Sequence, residues 1–179
     1  MLTQNFPVGI AVVGSGRMVD DRNAGGLRRS PFNTLSIDNI KHLQEEIRAI
    51  GADESIFVFN EGRQTSYVDE LDIIRVRYDV FPDIHSTHPR DLMSERAVLA
   101  HEYYGHRKYR DTWLEHGSWN DEFRASYIAA KGTYNLSDED RRYLVLDALE
   151  RAKEAGVTIV YNEFIRRVLY GSRTDEQIE

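Results

Sequence analysis

Apolar residues at Ile40, Leu43, Ile47 and Ile50 recur at helical spacing, with Ser36 ahead of them as an N-cap and Gly51 behind as a C-terminal cap. Residues 55–60 (SIFVFN) form a short apolar run that predicts a buried strand. Residues 74–81 alternate, with Ile74, Val76, Tyr78 and Val80 on one face and Arg75, Arg77 and Asp79 on the other. That pattern predicts a half-buried strand at a sheet edge, where an extended peptide could pair. GIAVVG (9–14) predicts a short buried strand before a Gly- and Arg-rich loop that reaches Ser30.

Helical patterns dominate from His88 onward. His88-Pro89 marks a turn, with Pro89 suited to the first position of a helix. A helix through SERAVLAHEYYGH carries the apolar stripe Met93, Ala97, Ala100 and Tyr104, and another spans about 118–131. Ser137 with Asp140 resembles a capping box, opening a helix that Gly156 ends, and a short helix over 163–170 stops at Gly171. A small N-terminal sheet with one helix, followed by packed helices, is an α+β arrangement. One domain is expected over 1–179, with a mixed lobe at 1–86 and a helical lobe at 87–179.

Composition narrows the chemistry. The 179 residues are 41% hydrophobic and 30% charged, the balance of a globular chain. There is no cysteine, so any metal must be held by His, Asp and Glu. A net charge of −7 argues against a nucleic-acid partner, despite the basic cluster Arg22, Arg28 and Arg29. No apolar run is long enough to span a membrane, and the start lacks the pattern of a signal peptide. A cytoplasmic setting, or delivery within a larger assembly, is expected. VVGSGRMV has Gly14 and Gly16 without a third glycine and predicts a turn rather than a phosphate loop.

The chemistry concentrates at 101–106, HEYYGH. Two histidines four apart on a helix can hold one ion from one face, with an intervening glutamate as general base. Here His101 and His106 are five apart. On a regular helix that turns them about 140° from each other. A single π-type turn would bring them back together. A last turn loosened at Gly105 would do the same. The π turn is the preferred expectation.

A third ligand is needed, and WNDEFRASYIAAKG offers Glu122 on a face shared with the small residues Ala125, Ser126 and Ala129. Such a face lets one helix approach another closely. Asp121 is the alternative, although its place three residues after Ser118 suits a capping partner. Donors for a developing oxyanion could come from Tyr103, Tyr104, His116, His85 or His88. The aromatic set Tyr103, Tyr104, Tyr109, Trp113 and Trp119 is expected to pack the helices.

LAHEYYGHRKYR followed by NDEFRASYIAAK resembles the zincin group of zinc metallopeptidases. The arrangement is gluzincin-like and similar to small bacterial and phage-associated peptidases related to ImmA and IrrE. The resemblance covers 94–131 and departs from the family in the extra residue between the histidines. It implies Zn2+ held by His101, His106 and Glu122, Glu102 as general base, and a peptide or protein substrate. The competing expectation is a non-catalytic metallopeptidase-like domain of a phage, toxin or mobile-element system.

Overall fold

A computed structural model describes residues 11–13, 34–62, 64–109 and 113–171. The basic cluster at 22–29, the glycines at 14 and 16 and the side chain of Tyr109 lie outside the described residues. The fold is α+β, as the alternation of patterns implied.

Strand β1 (Ala11–Val13) precedes α1 (Ile37–Ala49). A reciprocal cap opens α1: Ser36 Oγ accepts the Asn39 N–H at 3.1 Å and Asn39 Oδ1 accepts the Ser36 N–H at 3.0 Å. Gly51 closes it at φ +69°, a left-handed conformation that a side chain would strain. Leu43, Ile47 and Ile50 are fully buried, so the helical spacing marks the core face.

Three short strands follow: β2 (Phe57–Phe59), β3 (Ser66–Val68) and β4 (Ile73–Val76). They lie in the order β2-β4-β3, with β2 parallel and β3 antiparallel to β4. Tyr67 and Phe57 both sit opposite Ile74. This corrects the expectation for 74–81 in two ways. The strand is central rather than an edge, and it stops at Val76, giving way to a 3-10 turn over Tyr78–Val80. The cause lies in Asp79. Its buried carboxylate accepts the Thr65 N–H at 2.9 Å and the Thr65 hydroxyl at 2.6 Å, which draws the chain inward. Val80 still reaches the core, but Asp79 is buried beside it, so the alternation ends with the strand.

The helices are α2 (Pro89–Leu92), α3 (Glu95–Ala100), α4 (Trp119–Gly132), α5 (Asp138–Glu154) and α6 (Glu163–Tyr170). The Ser137–Asp140 capping box forms, and Gly156 and Gly171 take positive φ behind α5 and α6. Between those two helices β5 (Thr158–Val160) pairs antiparallel with β1, Ala11 opposite Val160. Three residues are too few to display a period, so β5 left no signal in the sequence. Leu99, Phe123, Tyr127, Leu144 and Ile165 join the α1 and β4 residues in one core. Trp119 packs on Phe123, but Trp113 is 74% exposed and does not pack the helices as expected. Among the described residues no helix is long and apolar enough to cross a membrane.

Candidate metal centre

Ser94 caps α3 by accepting the Ala97 N–H at 3.1 Å. The helix is regular to Ala100, then widens into a π turn over His101–His106 before a 3-10 turn at Arg107–Tyr109. The wide turn absorbs the fifth residue, and the two imidazoles face each other, Nε2 to Nε2, at 3.0 Å. Tyr104 anchors the widened turn by donating its hydroxyl to Ile50 O at 2.7 Å. Gly105 meets α4: a Cβ there would stand 2.6 Å from Ala125 O and 2.7 Å from its Cα and Cβ. Only glycine permits that approach.

The approach delivers Glu122. Ala125, Ser126 and Ala129 are fully buried against the π turn and α5, and Glu122 is buried beside them. Its Oε2 lies 3.4 Å from His101 Nε2 and its Oε1 lies 3.5 Å from His106 Nε2. The two imidazole nitrogens thus stand 3.0 Å apart, and each has a different oxygen of the Glu122 carboxylate 3.4–3.5 Å away. A tetrahedral zinc with bonds of about 2.0–2.1 Å would set its ligand atoms about 3.3 Å apart. The residues fit such an ion. Glu122 Oε2 is buried without a well-aligned hydrogen bond, and the cation facing it is Arg151, whose Nη1 lies 3.1 Å away.

The outer contacts fix both rings. Ser126 Oγ donates to Asp147 Oδ2 at 2.5 Å, so its 2.9 Å contact with His101 Nδ1 must be one in which the ring donates. His101 Nε2 is then left as a bare acceptor. His106 Nδ1 faces Asp121 Oδ2 at 3.4 Å, which turns its Nε2 to the same point. Carboxylates and hydroxyls behind ligating imidazoles set the tautomer in this way. Asp121 therefore has another task than the capping role expected of it. Its Oδ2 accepts the Gly117 N–H at 3.0 Å, its Oδ1 pairs with Arg124, and Ser118 bonds elsewhere, to Glu115 O and Asn120 Oδ1.

Charge is concentrated here. Burial pushes the Glu122 carboxyl up, but Arg151 and His106 outweigh it and hold it well below the usual range. Burial likewise opposes protonation of His106, yet Glu122 and Asp121 raise it well above an ordinary histidine. Asp147, fully buried, is held low against its own burial by Arg151 and Arg90.

Glu102 is buried and sends Oε2 toward β3, where it accepts the Tyr67 N–H at 2.8 Å. Arg107 holds the same corner with two bonds to Asp72, at 2.9 and 3.1 Å. His101, Glu102 and His106 each offer one ligand-capable atom within 4.8 Å of the others, and this buried cluster could hold a metal ion. His116, exposed at the rim, stacks edge-on against His106 with ring centres 5.2 Å apart and points Nδ1 at Asp121 Oδ2, 3.3 Å away. The other oxyanion candidates are engaged elsewhere: Tyr103 accepts the Asp53 N–H, Tyr104 bonds Ile50, and His88 reaches Glu154. The His85 backbone bonds Asp83 in an exposed turn.

Two residues of the centre went unnoticed in the sequence. Asp147 and Arg151 lie four apart on α5, among Leu144, Val145, Ala148 and Ala152 on its buried face. Charges interrupting an apolar stripe were the available signal. Comparison with protein-family models, curated proteins and solved structures found no match to this chain.

Proposed function

We propose that the chain is a zinc-dependent hydrolase, most simply a metallopeptidase, with His101, His106 and Glu122 as ligands and Glu102 as general base. The supporting observation is the meeting of two imidazole Nε2 atoms 3.0 Å apart, one of them a bare acceptor, with a buried carboxylate beside both. Desolvated groups of this kind are costly to bring together unless a cation joins them. A zinc ion bound there would polarise a carbonyl and acidify a water molecule.

The chain's own residues supply the rest. Ser126 and Asp121 hold the two rings in the ligating orientation. Glu102 receives the proton of the attacking water and passes it to the departing amine, a carboxylate's usual work in amide hydrolysis. Tyr67 N–H fixes the angle at which Glu102 stands. His116, oriented through Nδ1 by Asp121, is the best placed of the five candidates to donate to a developing oxyanion. β3 is an outer strand of its sheet and touches the π turn through Tyr67, which favours an extended peptide among possible substrates.

One observation favours a second reading. Glu102 is only 7% exposed and already bonded, as a glutamate bracing a structural metal would be. The Glu102→Gln protein separates the two. Zinc content and fold should survive, while zinc-dependent cleavage of a peptide library falls by about 10²–10⁴. Equal cleavage by parent and variant would remove Glu102 from the mechanism. Zinc without cleavage in either would favour the structural domain.

A further inference from the structure

His101 and Glu122 are joined not only at their facing donor atoms but also through α5. From His101 Nδ1 the path runs to Ser126 Oγ (2.9 Å), Asp147 Oδ2 (2.5 Å), Arg151 Nε (3.0 Å), and then from Arg151 Nη1 to Glu122 Oε2 (3.1 Å). Glu122 Oε2 returns to His101 Nε2 at 3.4 Å, closing a circuit of five side chains. Each member is at most 5% exposed. Arg151 cannot swing away, because its Nε is held by both oxygens of Asp147, at 3.2 and 3.0 Å. The guanidinium is thus fixed against one oxygen of the proposed ligand and leaves the other facing His106.

We propose that Arg151 is a positioning residue of the metal centre, one that reserves Glu122 Oε2 for itself and limits the carboxylate to single-point ligation through Oε1. The inference rests on the metal-site reading above. A guanidinium and a divalent ion repel each other strongly across a buried site, so they do not share one oxygen. With Oε2 taken, the protein offers three ligand atoms and the ion keeps a position open for water or substrate. Without the guanidinium, both oxygens could grip the ion and fill that position. The geometry of catalytic rather than closed sites would then depend on a residue that touches neither metal nor substrate.

Cobalt(II) tests this, because four-coordinate cobalt absorbs visible light far more strongly than five- or six-coordinate cobalt. The parent protein loaded with cobalt should show an intense visible band. Arg151→Met at equal cobalt occupancy should lose most of it. Should Asp147, stripped of its partner, prevent that variant from folding, the double variant Asp147→Asn/Arg151→Met removes both charges together and keeps an acceptor for Ser126. It should show the same weak band. A parent-like band in a folded, equally loaded variant would overturn the role of Arg151 while leaving the metal site intact. So would a weak band in the parent. Failure of the parent to bind cobalt would overturn the site and this inference together.

Discussion

Replacing Gly105 by alanine tests the closest contact in the centre. The added Cβ would stand 2.6–2.7 Å from main-chain and Cβ atoms of Ala125, where ordinary contact begins near 3.4 Å. Nothing flexible lies there to turn aside, so α4 must withdraw by roughly 0.7 Å or the π turn must deform. Overpacking of this kind costs typically 1–3 kcal/mol. Alanine's better helix propensity returns at most about 1 kcal/mol. Because the clash is with main-chain atoms, the upper part of the overpacking range, about 2–3 kcal/mol, applies. A net loss of about 1–2 kcal/mol should lower the unfolding temperature by several degrees, at about 2–4 °C per kcal/mol for a chain of this size. Glu122 rides on the same face one turn away, and sites of this kind tolerate only about 0.5 Å of displacement. Zinc affinity should therefore fall at least tenfold in a chelator competition. Gly132→Ala is the control, since nothing lies within 4 Å of its added Cβ and its φ is not positive. That change should stabilise by about 0.4–1 kcal/mol. A Gly105→Ala protein that unfolds at or above the parent's temperature would refute the close approach of the two helices.

Purified without a metal-affinity step, the parent should hold close to one equivalent of zinc, and His106→Ala should hold almost none. Metal should also stabilise the parent by about 2.7 kcal/mol at a free concentration near 100 times Kd, so equal melting with and without metal would count against the site. Asp121→Asn should weaken zinc binding about 10–100-fold, and undiminished affinity would confine Asp121 to its bonds with Gly117 and Arg124. At a distance from the centre, the His42 bond to Glu95 at 2.6 Å raises the histidine's pKa against a small opposing effect of burial. Its contribution is complete below pH 6.5 and disappears as pH rises through the raised value. The melting advantage of the parent over His42→Gln should shrink between pH 6 and pH 9, and it should be small, about 1 kcal/mol or less, for so exposed a pair. A gap that widens with pH would reverse the assignment.

The features legible in the sequence were those settled by near neighbours. Caps at Ser36 and Ser137 and glycines at 51, 156 and 171 act within four residues, and each appears where the pattern placed it. The widened turn was legible for the same reason, because a five-residue interval and a glycine together leave few ways to align two imidazoles. Glu122 was reachable through the small residues around it. What stayed hidden depends on distant segments. Asp79 turns the chain because Thr65 meets it across the sheet. Arg151 and Asp147 look like surface charges until α5 is laid against Ser126 and Glu122. The strands β3 and β5 are three residues each and follow from their partners, not from any period of their own.

An insertion in a helix ordinarily rotates everything downstream by about 100° and carries later side chains off their faces. The π turn at His101–His106 confines that slip to a single loop of backbone, so the chain leaves it with its phase restored. Insertions of one residue are thereby tolerable at a place where a site would seem least able to bear them. Two proteins with four- and five-residue intervals between their histidines could superimpose atom for atom at the metal, while any comparison that counts positions along the chain would place them in different classes.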